Sequence, residues 1–160
     1  MKKIIIIGNA GTGKSTLSRR LGEKLGLPLY HLDAIWHLPG GAVMAGGSWI
    51  VDGNFGMSMD LRISLCDMIV FLDFSPLYCA WSVFMRSLKY LKDRSEQPEM
   101  PDYFEEHMFG KEYREFMAMI LTYNKKKRPA AVASMARRPD GVELVVLKSR
   151  KEVHKWFDSL

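Results

Sequence analysis

The sequence predicts an α/β fold, a parallel sheet of five strands with helices on both faces. Three observations carry that prediction. Lys2–Ile7 is an unbroken β-branched run with no polar alternation, which is how a strand buried on both faces reads. After it the apolar spacing switches to Leu17, Leu21 and Leu25, four residues apart, the repeat of one helix face. Further strand-like runs then alternate with helical ones and are not joined at hairpin spacing, so right-handed βαβ crossovers connect them.

Taken in order, the first strand breaks at Gly8–Gly13, and a helix runs from Lys14 to about Leu25, stopped by Gly26 with Pro28 beyond it. Leu29–Leu32 reads as a short strand. PGGAVMAGG, between Trp36 and Trp49, has too much glycine for a regular element and is expected to be a mobile loop. Trp49–Val51 is a strand ending at the turn dipeptide Asp52-Gly53, and Met68–Phe74 is a second strongly apolar strand. Helices are expected over Pro76–Lys92 and Tyr103–Tyr123, joined by the exposed connection DRSEQPEMPD. Arg137–Gly141 is a turn and Val142–Leu147 the last strand. Ser149 and Glu152 have capping-box spacing, opening a helix that puts Val153, Trp156, Phe157 and Leu160 on one face.

At 160 residues the chain is one domain on a scale of about 100–200 residues per domain. Its 48% apolar and 26% charged residues exclude a disordered chain. The apolar runs Ile4–Ile7 and Met68–Leu72 fall far short of the ~18 residues of a membrane span. The opening MKKIIIIG is likewise too short for the apolar region of a secretory signal, and no cleavage site follows. The two cysteines, Cys66 and Cys79, sit in apolar settings and are expected as free thiols in a cytoplasmic protein.

Net charge is +5, but unevenly spread. Residues 93–115 hold 3 Lys/Arg against 8 Asp/Glu, a net of −5, whereas residues 118–155 hold 10 against 3, a net of +7. Such a basic block points to phosphate-bearing partners, nucleotide or nucleic acid, or else to a solvated lysine face.

Chemistry is concentrated in Gly8-Asn9-Ala10-Gly11-Thr12-Gly13-Lys14-Ser15, which fits G-x-x-x-x-G-K-[ST] at every fixed position, between a buried strand and an amphipathic helix. Glycines let successive backbone amides turn inward and form an anion nest at a helix N-terminus. Lys14 can reach the β- and γ-phosphates of a nucleoside triphosphate, and Thr16 can add a hydroxyl at the α-phosphate. The Ser15 hydroxyl suits Mg²⁺, which takes few protein ligands. Three carboxylates at or after strand ends, Asp33, Asp52 and Asp73, are placed to face that ion, because ligands of open α/β sheets lie outside the C-terminal strand ends.

GNAGTGKSTLSRRLGEKLGLPLYHLDAIWHLPG, WIVDGNFGMSMDLR, CDMIVFLDFSPLYCAW and LVVLKSRKEV together resemble the adenylate-kinase-like branch of small P-loop kinases, including the bacterial DNA topology modulation proteins. The resemblance covers almost the whole chain. It implies a three-layer P-loop fold with strand order 2-3-1-4-5, and one domain over residues 1–160 with a lid at about 82–128. It implies ATP and Mg²⁺ as cofactors and a small-molecule phosphoryl acceptor. Asp52 matches the acid of the family's Asp-Gly motif, which orients the Mg²⁺ shell, and is preferred to Asp73. Asp33 and Arg62 fall on the acceptor side. Arg86, Lys89, Arg94, Lys126 and Arg128 would face the triphosphate, Arg86 and Arg128 as catalytic groups with Lys14. Arg150, within the Lys148–Lys151 loop, would lie near the adenine. Two departures stand out: only Gly41–Ser48 separates Gly40 from Trp49 where relatives carry a longer acceptor segment, and Ser82 replaces a commonly basic residue in the first lid turn.

Other residues have plainer readings. His31 and His37 flank Asp33 too widely for a metal site, and Trp36, Trp49 and Trp81 read as core or loop anchors. Lys125-Lys126-Lys127-Arg128 could touch nucleic acid, although no recognized nucleic-acid motif accompanies it. Besides phosphoryl transfer, the sequence leaves two readings open: a nucleotide-dependent DNA-binding protein and a simple ATPase.

Overall fold

A computed structural model describes residues 2–31, 47–54, 56, 59–92 and 110–160. The central strand β1 (Lys3–Gly8) sets the layers. Ile4 and Ile6 face one side of the sheet and Ile5 and Ile7 the other, none more than 2% exposed. Burial of each contributes about 1.5–3 kcal/mol, and a strand covered on both faces has no polar position to alternate with.

β1 pairs in parallel with β3 (Trp49–Asp52) and β4 (Met68–Leu72). β2 (Leu29–His31) adds to β3, and β5 (Glu143–Leu147) adds to β4. The order β2-β3-β1-β4-β5 is the one expected.

Seven helices lie among the described residues: α1 (Lys14–Leu25), α2 (Met59–Leu65), α3 (Pro76–Lys92), α4 (Lys111–Leu121), the single turn α5 (Tyr123–Lys126), α6 (Arg128–Ala136) and α7 (Arg150–Asp158). Leu17 and Leu21 of α1, Cys79 and Val83 of α3, Ile120 of α4 and Phe157 of α7 pack with Ile4 and Ile6. Met59 and Ile63 of α2, with Ala131 and Met135 of α6, pack with Ile5 and Ile7. None of the described helices is long and apolar enough to cross a membrane.

α2 and α6 were not expected. α2 is seven residues long, too short for its two inward residues, Met59 and Ile63, to establish a period. α6, RPAAVASMA, is built from small residues with a weak apolar stripe, and its proline sits in the first turn, where the missing N–H is harmless. The helix expected over Tyr103–Tyr123 is described from Lys111 and ends at Leu121. α7 starts as its cap predicts, Ser149 Oγ accepting from the Glu152 amide at 3.2 Å, but Leu160 lies beyond the helix and is exposed. Residues 39–46 of PGGAVMAGG and all of DRSEQPEMPD lie outside the described residues.

Cys66 and Cys79 are buried and free, in cores on opposite faces of the sheet. Burial pushes each thiol up to about 11 from the usual 9. Between those values the folded chain keeps protons that the unfolded chain releases, so stability is full below pH 9 and falls as pH rises toward 11. Urea midpoints measured near pH 8 and near pH 10 should therefore fall with pH, and replacing both cysteines with alanine should flatten the drop; an unchanged slope in that variant contradicts this origin.

Candidate active site

The loop from β1 to α1 is shaped by contact with α3. At Gly11 the backbone is left-handed, φ +83°, and a Cβ there would lie 2.5 Å from the Cys79 carbonyl oxygen. Only glycine allows that approach. At Gly13 the constraint is torsional: φ is +86°, and an added Cβ would meet nothing within 4 Å. Gly13 is also the N-cap of α1, where no side chain caps the helix among the described residues. The first amides of α1 thus face an open space at the positive end of the helix, the arrangement that binds anions.

Buried side chains brace this loop from behind. Asn9 accepts from the Ala10 amide at 2.8 Å and donates Nδ2 to the Ile120 carbonyl at 2.9 Å, tying the loop to α4. Thr12 Oγ1 and Lys14 Nζ both donate to the Asn9 carbonyl at 2.9 Å. Asn54, just after β3, accepts from the Gly8 amide at 3.0 Å and donates to the Gly8 carbonyl. It locks the Asp52-Gly53 turn to the start of the loop.

A cavity of about 800 Å³ opens above. Its floor is Ala10, Gly11, Gly13, Lys14, Ser15 and Thr16, and Asp52 and Gly53 form one wall. Opposite stand Tyr78, Trp81, Ser82, Met85, Arg86 and Lys89 of α3, with Arg150. Arg86 is exposed to water yet surrounded closely enough that desolvation lowers its pKa; an arginine remains a cation regardless.

Asp52 is 4% exposed and held from two sides. Ser18 Oγ donates to Oδ2 at 2.9 Å, and His31 Nδ1 lies 2.7 Å from Oδ1. A carboxylate only accepts, so this geometry places the ring hydrogen on Nδ1. His31 is the register partner of Asp52 across β2 and β3, which explains the contact.

Of the residues singled out from sequence, Ala10, Gly11, Gly13, Lys14, Ser15, Thr16, Asp52, Arg86, Lys89 and Arg150 converge on this cavity. Gly8, Asn9 and Thr12 lie beneath it. Arg128 and Arg62 do not line it. Arg128 makes a bidentate bond to Asp73, both contacts 2.7 Å, which raises its pKa. Arg62 is fully buried behind the Asp52-Gly53 turn; Nη1 donates to the Gly53 carbonyl at 3.0 Å, and burial pushes its pKa down to about 10. Lys126 and Lys127 line a second cavity, about 500 Å³, beyond the turn, with Asn54, Gly56, Met59 and Tyr123. Asp33 and Arg94 lie outside the described residues.

Trp81 corrects its sequence reading. It anchors no core: it is 59% exposed and forms cavity wall. Trp49 does sit in the core, at 1%. Ser18, His31 and Asn54 were missed. The parallel pairing of Leu29–His31 with Ile50–Asp52 would have revealed His31, whereas Ser18 and Asn54 carried no pattern of their own.

No family model matches the chain, and no curated protein matches it in sequence. Its fold does have relatives among solved structures. It is similar to shikimate kinase from Bacteroides thetaiotaomicron, with 18% identity, 99% of this chain and 95% of that chain covered, and a TM-score of 0.60. Shikimate kinase from Acinetobacter baumannii in complex with shikimate matches at 12% identity over 99% and 90%, TM-score 0.55. Deoxyadenosine kinase from M. mycoides with bound dCTP matches at 13% over 98% and 97%, TM-score 0.50. The likeness establishes a P-loop kinase fold.

The buried arginine yields a direct check. Arg62→Met, which keeps bulk but leaves the Gly53 carbonyl without this donor, should cost about 1–3 kcal/mol in urea unfolding. Arg62→Ala adds a cavity and should cost more, about 2–5 kcal/mol. Undiminished stability in both, with a raised acceptor KM, would return Arg62 to the acceptor side.

Proposed function

We propose that the chain is an ATP- and Mg²⁺-dependent phosphotransferase that moves the γ-phosphoryl group of ATP to a small acceptor, in the manner of nucleoside monophosphate kinases. One observation supports it above the others: amides at the N-terminus of α1, the buried carboxylate of Asp52 and the cations Lys14, Arg86, Lys89 and Arg150 all meet in one cavity.

The residues present fit the cofactors. Among the described residues the Gly13 cradle is open and uncapped, and Ser15 and Asp52 supply a hydroxyl and a carboxylate on the same cavity. Among the described residues no group of three or more His, Cys, Asp or Glu forms a metal cluster, which suits an ion that takes few protein ligands. Ser15 and Asp52 would hold Mg²⁺, Asp52 through water. When bound, the ion supplies charge neutralization at the β- and γ-oxygens.

The chain's own work is then positioning and charge. Ser18 and His31 orient the Asp52 carboxylate. Lys14 turns from the Asn9 carbonyl to the β- and γ-phosphates, and Arg86 and Lys89 approach from α3. Residues 82–128, of which 93–109 lie outside the described residues, are assigned as the lid in this reading. Arg128, at its far end, is stored on Asp73 and is available to the transferred group on closure. The acceptor is assigned to the far side of the Asp52-Gly53-Asn54 turn, where the second cavity presents Lys126 and Lys127. The DNA-binding alternative rests on the basic block alone, whose exposed Lys125, Lys126 and Lys127 come with no recognized nucleic-acid motif.

ADP release, measured with a panel of nucleoside monophosphates and small hydroxyl compounds, tests the reading. At least one acceptor should stimulate release, and Lys14→Ala should lower turnover by about 10²–10³. Near-normal transfer in that variant would overturn the assignment.

A further inference from the structure

β1 presents every second residue of its backbone to β3. The Lys2 carbonyl accepts from the Trp49 amide at 3.0 Å, and the Ile6 carbonyl accepts from the Gly53 amide at 3.3 Å. With a strand's period of two, the next groups facing that way are the amide and carbonyl of Gly8. β3 ends before it can meet them, because the chain turns away at Gly53, where φ is +128°. Asn54 supplies the partner from its side chain: Oδ1 accepts from the Gly8 amide at 3.0 Å, and Nδ2 donates to the Gly8 carbonyl. A primary amide offers the same acceptor and donor as a peptide group, so the ladder gains one more rung without a strand.

Gly8 is held from its other side as well. It pairs with Leu72 of β4, and a Cβ on it would lie 2.7 Å from the Leu72 carbonyl oxygen. It is the last residue of β1, and because a peptide unit is planar its orientation sets the direction in which the loop departs. The turn that clamps it also separates two spaces. Gly53 lines the cavity of about 800 Å³, and Asn54 lines the one of about 500 Å³. A single side chain thus stands at the partition between the cavities and bonds that partition to the phosphate loop.

We propose that Asn54 is a positioning residue for phosphoryl transfer, fixing the phosphate loop and the acceptor cavity at one separation. The inference rests on the phosphotransferase reading above. Both polar atoms of the Asn54 side chain are engaged with Gly8, so it acts through the loop backbone and not on the ATP phosphates. Transfer needs the reacting atoms about 3–3.5 Å apart, and a misplacement of about 1 Å can cost roughly 10²-fold in rate. ATP binding is less demanding, since its anion nest lies at the start of α1 and is braced from behind by Asn9 and Thr12. Loss of the clamp therefore slows transfer while ATP affinity stays close to that of wild type.

Wild type, Asn54→Ala and Asn54→Gln test this on the full chain. Calorimetry gives the Kd of Mg·ATP, and ADP release gives kcat and KM with the compound of the panel above that stimulates wild type most. Asn54→Ala should lower kcat by about 10²-fold, with the Mg·ATP Kd and the acceptor KM within about threefold of wild type. Asn54→Gln keeps the primary amide on a longer stem and should restore kcat at least about tenfold over alanine. Asn54→Ser, which keeps the position polar, takes the place of alanine if that variant does not fold. A kcat within about threefold of wild type in the truncated variant overturns the proposal. So does a loss of Mg·ATP affinity as large as the loss of kcat, which makes Asn54 a support of the nucleotide site alone. A glutamine variant no better than the truncated one overturns it too. If wild type binds Mg·ATP but no compound of the panel stimulates ADP release, the phosphotransferase reading fails and the positioning role with it. Equal transfer by wild type and the truncated variant removes the positioning role only.

Discussion

The approach of the loop backbone to α3 at Gly11 is the constraint on which the site depends. It demands glycine twice over, once for the sign of φ and once for the missing Cβ against the Cys79 carbonyl. In return it sets two surfaces of opposite character face to face: a floor of main-chain amides and a helix bearing aromatic and cationic side chains. Both belong to rigid elements whose other faces are packed into one core. A binding site on such elements needs little reorganization when a ligand arrives.

A second tier of contacts keeps charge in place. Asp52 ends β3 beside the loop, fixed by a serine of α1 and a histidine of β2. Asn54 joins the following turn to Gly8, and Arg62 supports the same turn from the opposite side. Three strands and two helices thus control the position of one carboxylate and the backbone next to it. Asp73, the other acid after an apolar strand, has its charge met by Arg128 in a bidentate bond, a different role from a similar sequence context.

Legibility followed how strongly a residue type is dictated by local structure. Strand β1, the loop and α1 were readable because β-branched burial, glycine spacing and a four-residue repeat each admit few alternatives. Strand order followed from the resemblance. α2 and α6 were hidden because a seven-residue helix and a run of alanines leave no period to detect. Contacts between distant residues were harder still. His31 with Asp52 depends on strand register, and Arg128 with Asp73 spans 55 positions. Trp81 was misjudged because a tryptophan on an amphipathic helix reads the same whether its face meets a core or a cavity; only the packing of Cys79 and Val83 on the opposite face decides it.

The most direct measurement is a crystal structure of the chain with Mg²⁺ and a non-hydrolysable ATP analogue. Phosphate oxygens should accept from the amides at the start of α1, with Lys14 Nζ withdrawn from the Asn9 carbonyl to the β- and γ-phosphates. An analogue bound away from the Gly8–Ser15 loop, or a lysine still seated on Asn9 at full occupancy, would contradict the account.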